Sequence, residues 1–134
     1  MTGQMRAVFL WLIVAQATHS VEEYVFRLYD VLPPARFISA LVSDDLARGF
    51  AIANALLVLA GVLCYVWSVR PSRPSARAVA WFWSLLELGN GLGHSAFAVA
   101  RLGYFPGVAT APALLGLSGY LLWLLGRTGA HSRG

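Results

Sequence analysis

Arg6-Ala-Val-Phe-Leu-Trp-Leu-Ile-Val-Ala-Gln16-Ala-Thr-His19-Ser-Val-Glu22-Glu23-Tyr-Val-Phe26 is the stretch whose reading decides the fold. Residues 7–17 are apolar apart from Gln16, and Tyr24, Val25 and Phe26 extend that character beyond a histidine and two carboxylates. As a helix the stretch is about 30 Å long, the thickness of a bilayer's hydrocarbon core. Ionisable groups at that depth cost on the order of 2.5–3.5 kcal/mol each. Three of them so close together must be satisfied inside the protein, which points to a site. No small-residue cleavage signal follows, so the segment reads as a retained span, not a signal peptide.

Working outward, the 134 residues suit one domain. The chain is 58% hydrophobic and 12% charged, with a mean hydropathy of +0.65. Soluble domains carry ~25% charged residues, and a soluble chain this small has nowhere to hide so much apolar surface. An integral membrane protein is expected. All ten basic residues are arginine, and the pI is about 9.8. That charge suits topology and anionic headgroups; no basic run interleaved with aromatics suggests nucleic acid. Cys64 is the only cysteine, so an internal disulfide is excluded.

Four segments are long enough to cross a bilayer: residues 6–26, 46–69, 77–100 and 108–126. The expected fold is an all-α, integral membrane four-helix bundle forming one domain over residues 1–134. Ser43-Asp44-Asp45 offers an N-cap to the second span, and Gly103-Tyr-Phe-Pro-Gly107 forms a turn before the fourth. The short connector Arg70-Pro-Ser-Arg-Pro-Ser75 makes spans two and three antiparallel neighbours. In the loop of residues 27–45, Pro33-Pro34 can start a short interfacial helix with Phe37, Ile38, Leu41 and Val42 on one side. Arg6, Arg70, Arg73, Arg77, Arg127 and Arg133 fall on one side of the bilayer; Arg27, Arg36, Arg48 and Arg101 fall on the other. That bias places both termini in the cytoplasm of a bacterial-type plasma membrane. Trp67, Trp81, Trp83 and Trp123 lie near the same ends, as an aromatic belt requires.

Depth is the strongest sequence argument. Counted from the cytoplasmic ends, His19 lies about 18 Å deep, and Glu22 and Glu23 about 23 Å. Glu87, Asn90 and His94 come at about 14, 18 and 24 Å in the third span; Asn54 lies near 22 Å and Thr110 near 24 Å. Nearly every strongly polar group of the four spans falls in one extracytoplasmic layer. Gln16, His19 and Glu23 share a helix face, as do Glu87, Asn90 and His94. Spans one and three run in the same direction, so the two stripes can face one another, with Gly89, Gly91 and Gly93 allowing close approach. His19, Glu22, Glu23, Glu87 and His94 are therefore candidate metal ligands, and Gln16, Asn54, Asn90 and Thr110 their supports. Carboxylates with neutral imidazoles suit zinc, iron or manganese, and zinc or iron is expected.

The string His19-Ser-Val-Glu22-Glu23 resembles the motif of the HXXEE-domain family, small membrane proteins named for it. The resemblance covers most of the chain. Glu87-Leu-Gly-Asn90-Gly-Leu-Gly-His94 and the Tyr104-Phe-Pro-Gly107 turn look like further family features. The family has no settled activity, so the resemblance supports the choice of site residues and names no reaction.

The first functional expectation is a metal-dependent membrane enzyme acting on a lipid-like or apolar small molecule. A metal would act as Lewis acid, with the spare glutamate of Glu22 and Glu23 as general base. The alternative is a small proton-coupled transporter using the membrane glutamates, resembling in outline the small multidrug-resistance exporters. Such a carrier would be a homodimer packed through Gly89 and Gly93 or Gly116 and Gly119. A third reading is a non-catalytic metal- or cofactor-binding subunit.

Overall fold

The computed structural model describes residues 1–130, and its regular structure is all helical. Arg133, counted from sequence among the arginines of one side, lies outside the described residues. Helix α1 (Gly3–Val25) starts at Thr2, whose hydroxyl accepts from the Met5 N–H at 3.2 Å. It ends where Arg27 turns left-handed (φ 56°), held by an ion pair to Asp30 at 2.6 Å. Helix α2 (Leu28–Val31) is a single turn. Helix α3 (Pro33–Val42) begins at the proline pair, where the missing N–H is one that no helix needs. Helix α4 (Leu46–Cys64) is capped by Asp45, which accepts from the Arg48 N–H, and runs on through a π turn, Tyr65–Val69. Helix α5 (Ala76–Arg101) stops at a left-handed Leu102. Helix α6 (Ala111–Ala130) completes the chain.

The long helices pack in the order α4, α1, α6, α5, and α3 crosses α4. The short connector led to the expectation that α4 and α5 are packed neighbours. They meet chiefly at the π turn, because α6 takes the face of α5 instead. Gly91 makes that possible: a β-carbon there would lie 2.9 Å from the Leu115 side chain and 3.2 Å from the Ala111 carbonyl. Gly89 and Gly93 face open space. Gly49 serves the α3–α4 crossing, where a β-carbon would come within 2.1 Å of the Ser39 carbonyl oxygen.

Two apolar cores bracket the site. One joins Met5, Phe9 and Leu12 to Leu114, Leu121 and Leu125; the other gathers Leu28, Tyr29, Phe50 and Phe105. The Arg6 guanidinium donates to the Arg70 carbonyl at 3.0 Å and Arg77 to that of Leu125 at 2.6 Å. The N-terminus, the α4–α5 connector and the far end of α6 thus share one end of the bundle. Among the described residues one helix, Leu46–Val69, is long and apolar enough to cross a membrane, with a mean hydropathy of 2.2. The other three expected spans are helical but do not reach that threshold; in α1 and α5 the layer of polar residues lowers the hydropathy.

Candidate metal centre

One helical turn separates His19 from Glu23, which puts both side chains on the α1 face toward α5. Glu23 Oε1 lies 3.3 Å from His19 Nε2 and 3.0 Å from His94 Nε2, which α5 supplies. The two rings meet edge to face with centroids 4.6 Å apart, and all three side chains are buried. His19 Nε2 has no hydrogen-bond partner among the described residues.

The outer ring nitrogens determine which tautomers are present. His94 Nδ1 sits 2.5 Å from the Pro106 carbonyl oxygen, which can only accept, so Nδ1 carries the hydrogen. His19 Nδ1 lies 2.7 Å from Thr110 Oγ1, whose own hydrogen goes to Glu22 Oε2 at 2.6 Å. Thr110 therefore accepts, and His19 Nδ1 is also the donor. In the neutral rings both Nε2 atoms are bare lone pairs aimed at a carboxylate oxygen. Three acceptors converge with no hydrogen between them. One shared proton can satisfy only one of the two contacts; a divalent cation satisfies all three.

The donor set and spacing fit such an ion. Bonds of 2.0–2.1 Å to zinc make a tetrahedral edge of about 3.3–3.4 Å, close to the 3.0 and 3.3 Å separations here. Pro106 and the Thr110–Glu22 pair hold the two rings at their outer nitrogens, as the outer partners of metal-binding imidazoles do. Gly107 roofs the rings at φ +93°, where a β-carbon would lie 2.6 Å from His94 Nδ1 and 2.7 Å from His19 Cε1. Phe105, buried, packs beside His94 with centroids 5.5 Å apart. Arg101, counted from sequence among the arginines that set topology, lies over the Phe105 ring.

Glu22 is placed apart from this group. Its Oε1 accepts from the Tyr104 hydroxyl at 2.5 Å and from the N–H groups of Gly107 and Ala109; its Oε2 accepts from the Thr110 N–H and hydroxyl. A carboxylate is at home there, before the N-terminus of α6, where free N–H groups gather. Burial first, and the bond to Glu22 second, push the Tyr104 hydroxyl up to about 12, so it remains a donor. The spare-base role read for the glutamate pair therefore does not suit Glu22, whose two oxygens are both committed.

Glu87 also stands outside the triad. One of its oxygens lies 2.6 Å from the Gln16 amide and 3.5 Å from Asn90 Nδ2. Beyond Gln16 a chain continues through Ser20 at 3.0 Å to Asn54 Oδ1 at 2.8 Å, and Asn54 donates to the Phe50 carbonyl at 3.1 Å. Two hydrogen assignments satisfy the link to Glu87: the amide nitrogen turned toward the carboxylate, or a hydrogen on the carboxyl itself. In either, Glu87 is held by α1 and its own helix. Glu23, His94, Glu87, Asn90, Gln16 and Asn54 all line one cavity between α1, α4 and α5.

Of the residues singled out from sequence, His19, Glu23 and His94 come together, with Thr110 behind them. Gln16, Asn54, Asn90 and Glu87 form the adjoining network. Sequence reasoning gave no role to Ser20, Pro106 or Gly107. The Gly-Tyr-Phe-Pro-Gly turn was the available signal for the last two; Ser20, inside the motif, had none of its own.

A family model described as "Protein of unknown function with HXXEE motif" matches residues 10–121. No curated protein and no solved structure matches the chain.

Proposed function

The chain belongs to the HXXEE family, and from that premise we propose that its motif builds a divalent-metal centre in a membrane-embedded enzyme. The carrying observation is the convergence of His19 Nε2, His94 Nε2 and Glu23 Oε1 while both outer ring nitrogens are engaged as donors. Two imidazoles and one carboxylate are the donor set of hydrolytic zinc sites and of non-haem iron sites that keep positions open. Such an ion supplies Lewis-acid activation of a bound oxygen or, as iron, oxygen chemistry. Glu23 and His94 border the cavity, so a reactant there lies beside the centre. Glu87, on the same wall, is the carboxyl available to take or give a proton, and Asn90 can orient the reactant.

The membrane setting is supported by where apolar surface lies. Only 17% of the apolar window in Leu46–Val69 is buried, whereas a soluble protein's core helix is mostly buried. Leu41 on α3, Trp67 on the π turn and Phe82 on α5 are each more than 60% exposed. Lipid is the solvent that such faces suit. Four spans, with both termini cytoplasmic, accommodate this surface.

The test is metal analysis of protein purified in mild detergent. One zinc or iron per chain is expected, lost in His19→Ala and His94→Ala and retained in Glu87→Gln. Metal-free wild-type protein that takes up neither ion overturns the proposal and leaves a proton site for the carrier reading.

A further inference from the structure

The cavity beside the triad has a volume of about 710 Å³. Taking a methylene as about the size of a water molecule, about 30 Å³, it has room for about twenty heavy atoms. Leu32, Ile38, Leu57, Leu85 and Leu86 give it apolar walls on three helical elements. Its wide opening follows from the packing, since α4 and α5 scarcely touch beyond the π turn. A ligand can therefore arrive sideways, from the medium that the apolar helix faces contact.

The polar end of the cavity is rich in acceptors. Glu23 Oε2 and Asn90 Oδ1 accept no hydrogen bond from any described residue, and Glu87 lines the same cavity. No arginine lines the cavity. The side chains lining the cavity offer a carboxylate or phosphate head no lysine or arginine, and their acceptor oxygens call for a donor that such an ionised head lacks. A hydroxyl donates to such a floor and carries no charge into it.

We infer that the cavity binds a single-chain alcohol of about twenty heavy atoms, its hydroxyl at Glu23 and Asn90 and its chain among the leucines. The alcohol's role as substrate rests on the metal-centre reading; its binding does not. Two-chain phospholipids are too large and carry the wrong head.

The experiment uses the full chain in phosphatidylcholine nanodiscs with tritiated oleyl alcohol. Saturable binding of one alcohol per chain is expected, with oleate competing at least tenfold more weakly than unlabelled oleyl alcohol. Ala53→Trp, which fills the cavity from α4, should weaken binding at least tenfold while metal content and melting temperature stay unchanged. Should that variant fail to fold, Leu86→Trp fills the space from α5 and replaces it. Non-saturable binding, equal competition by oleate, or undiminished affinity in the folded tryptophan variant overturns the inference. The two readings fail separately. Metal-free wild-type protein that still binds the alcohol sinks the metal centre alone, and metal-loaded protein that binds no alcohol sinks the cavity assignment alone.

Discussion

A methyl group at position 107 would collide with both imidazoles, at a backbone angle that side chains rarely adopt. Gly107→Ala is expected to weaken zinc affinity more than tenfold and to cost about 1–3 kcal/mol of stability; metal titration and thermal unfolding check both. Thr110 acts through His19: it accepts from Nδ1 and passes its own hydrogen to Glu22. Thr110→Val is expected to lower metal affinity about 10–100-fold, and Thr110→Ser to restore it, since only the hydroxyl is needed. At this scale the sequence was partly legible. The spacing of His19 with Glu23, and the depth of His94 and Thr110, singled out side chains that the structure brings together. It left Glu22 and Glu23 equivalent, because either flanks His19 and the rotation of α1 is set by α6, not by local pattern. Pro106 escaped notice because it contributes a carbonyl, which no side-chain pattern reveals.

Among the elements, α3 depends on one glycine. Because a β-carbon at position 49 would enter the Ser39 backbone, Gly49→Ala must push α3 off α4 or strain the crossing. A loss of about 1–3 kcal/mol is expected, read as a lower melting temperature and faster proteolysis within residues 27–45. The zinc content is expected to survive, since no triad residue lies on α3. Helix positions were readable from capping and hydropathy: Asp45 caps α4, and the proline pair opens α3. Packing order was not. A short connector brings two helix ends together without obliging their lengths to pack, and the π turn at Tyr65–Val69 carries no composition signal. Phe37, Ile38, Leu41 and Val42, grouped from sequence on one side of α3, are all exposed there.

For the whole molecule, the distribution of aromatic surface carries the membrane argument. Trp11 and Trp67 are each more than 60% exposed, whereas Trp83 is buried. In vesicles of brominated lipid, single-tryptophan versions retaining Trp11 or Trp67 are expected to be quenched strongly, and one retaining Trp83 weakly. Equal quenching at all three, or none, contradicts a lipid-facing bundle. Composition announced an apolar chain, and depth counting gathered its polar groups into one layer. Neither contained the cavity, which arises because α6 separates α5 from α1 over much of their length and α4 packs on α1 while scarcely touching α5.

Neighbouring residues on a helix diverge by about 100°, and the Glu22-Glu23 doublet uses that divergence to address two places at once. One carboxylate fastens the segment of residues 104–110 from outside; the other faces inward between the imidazoles. α1 consequently cannot rotate about its axis without unfastening the roof and withdrawing Glu23 from the two rings in the same movement. Any opening of the chamber at this end must be concerted with the first helix, which makes the doublet a mechanical coupling as well as a chemical one.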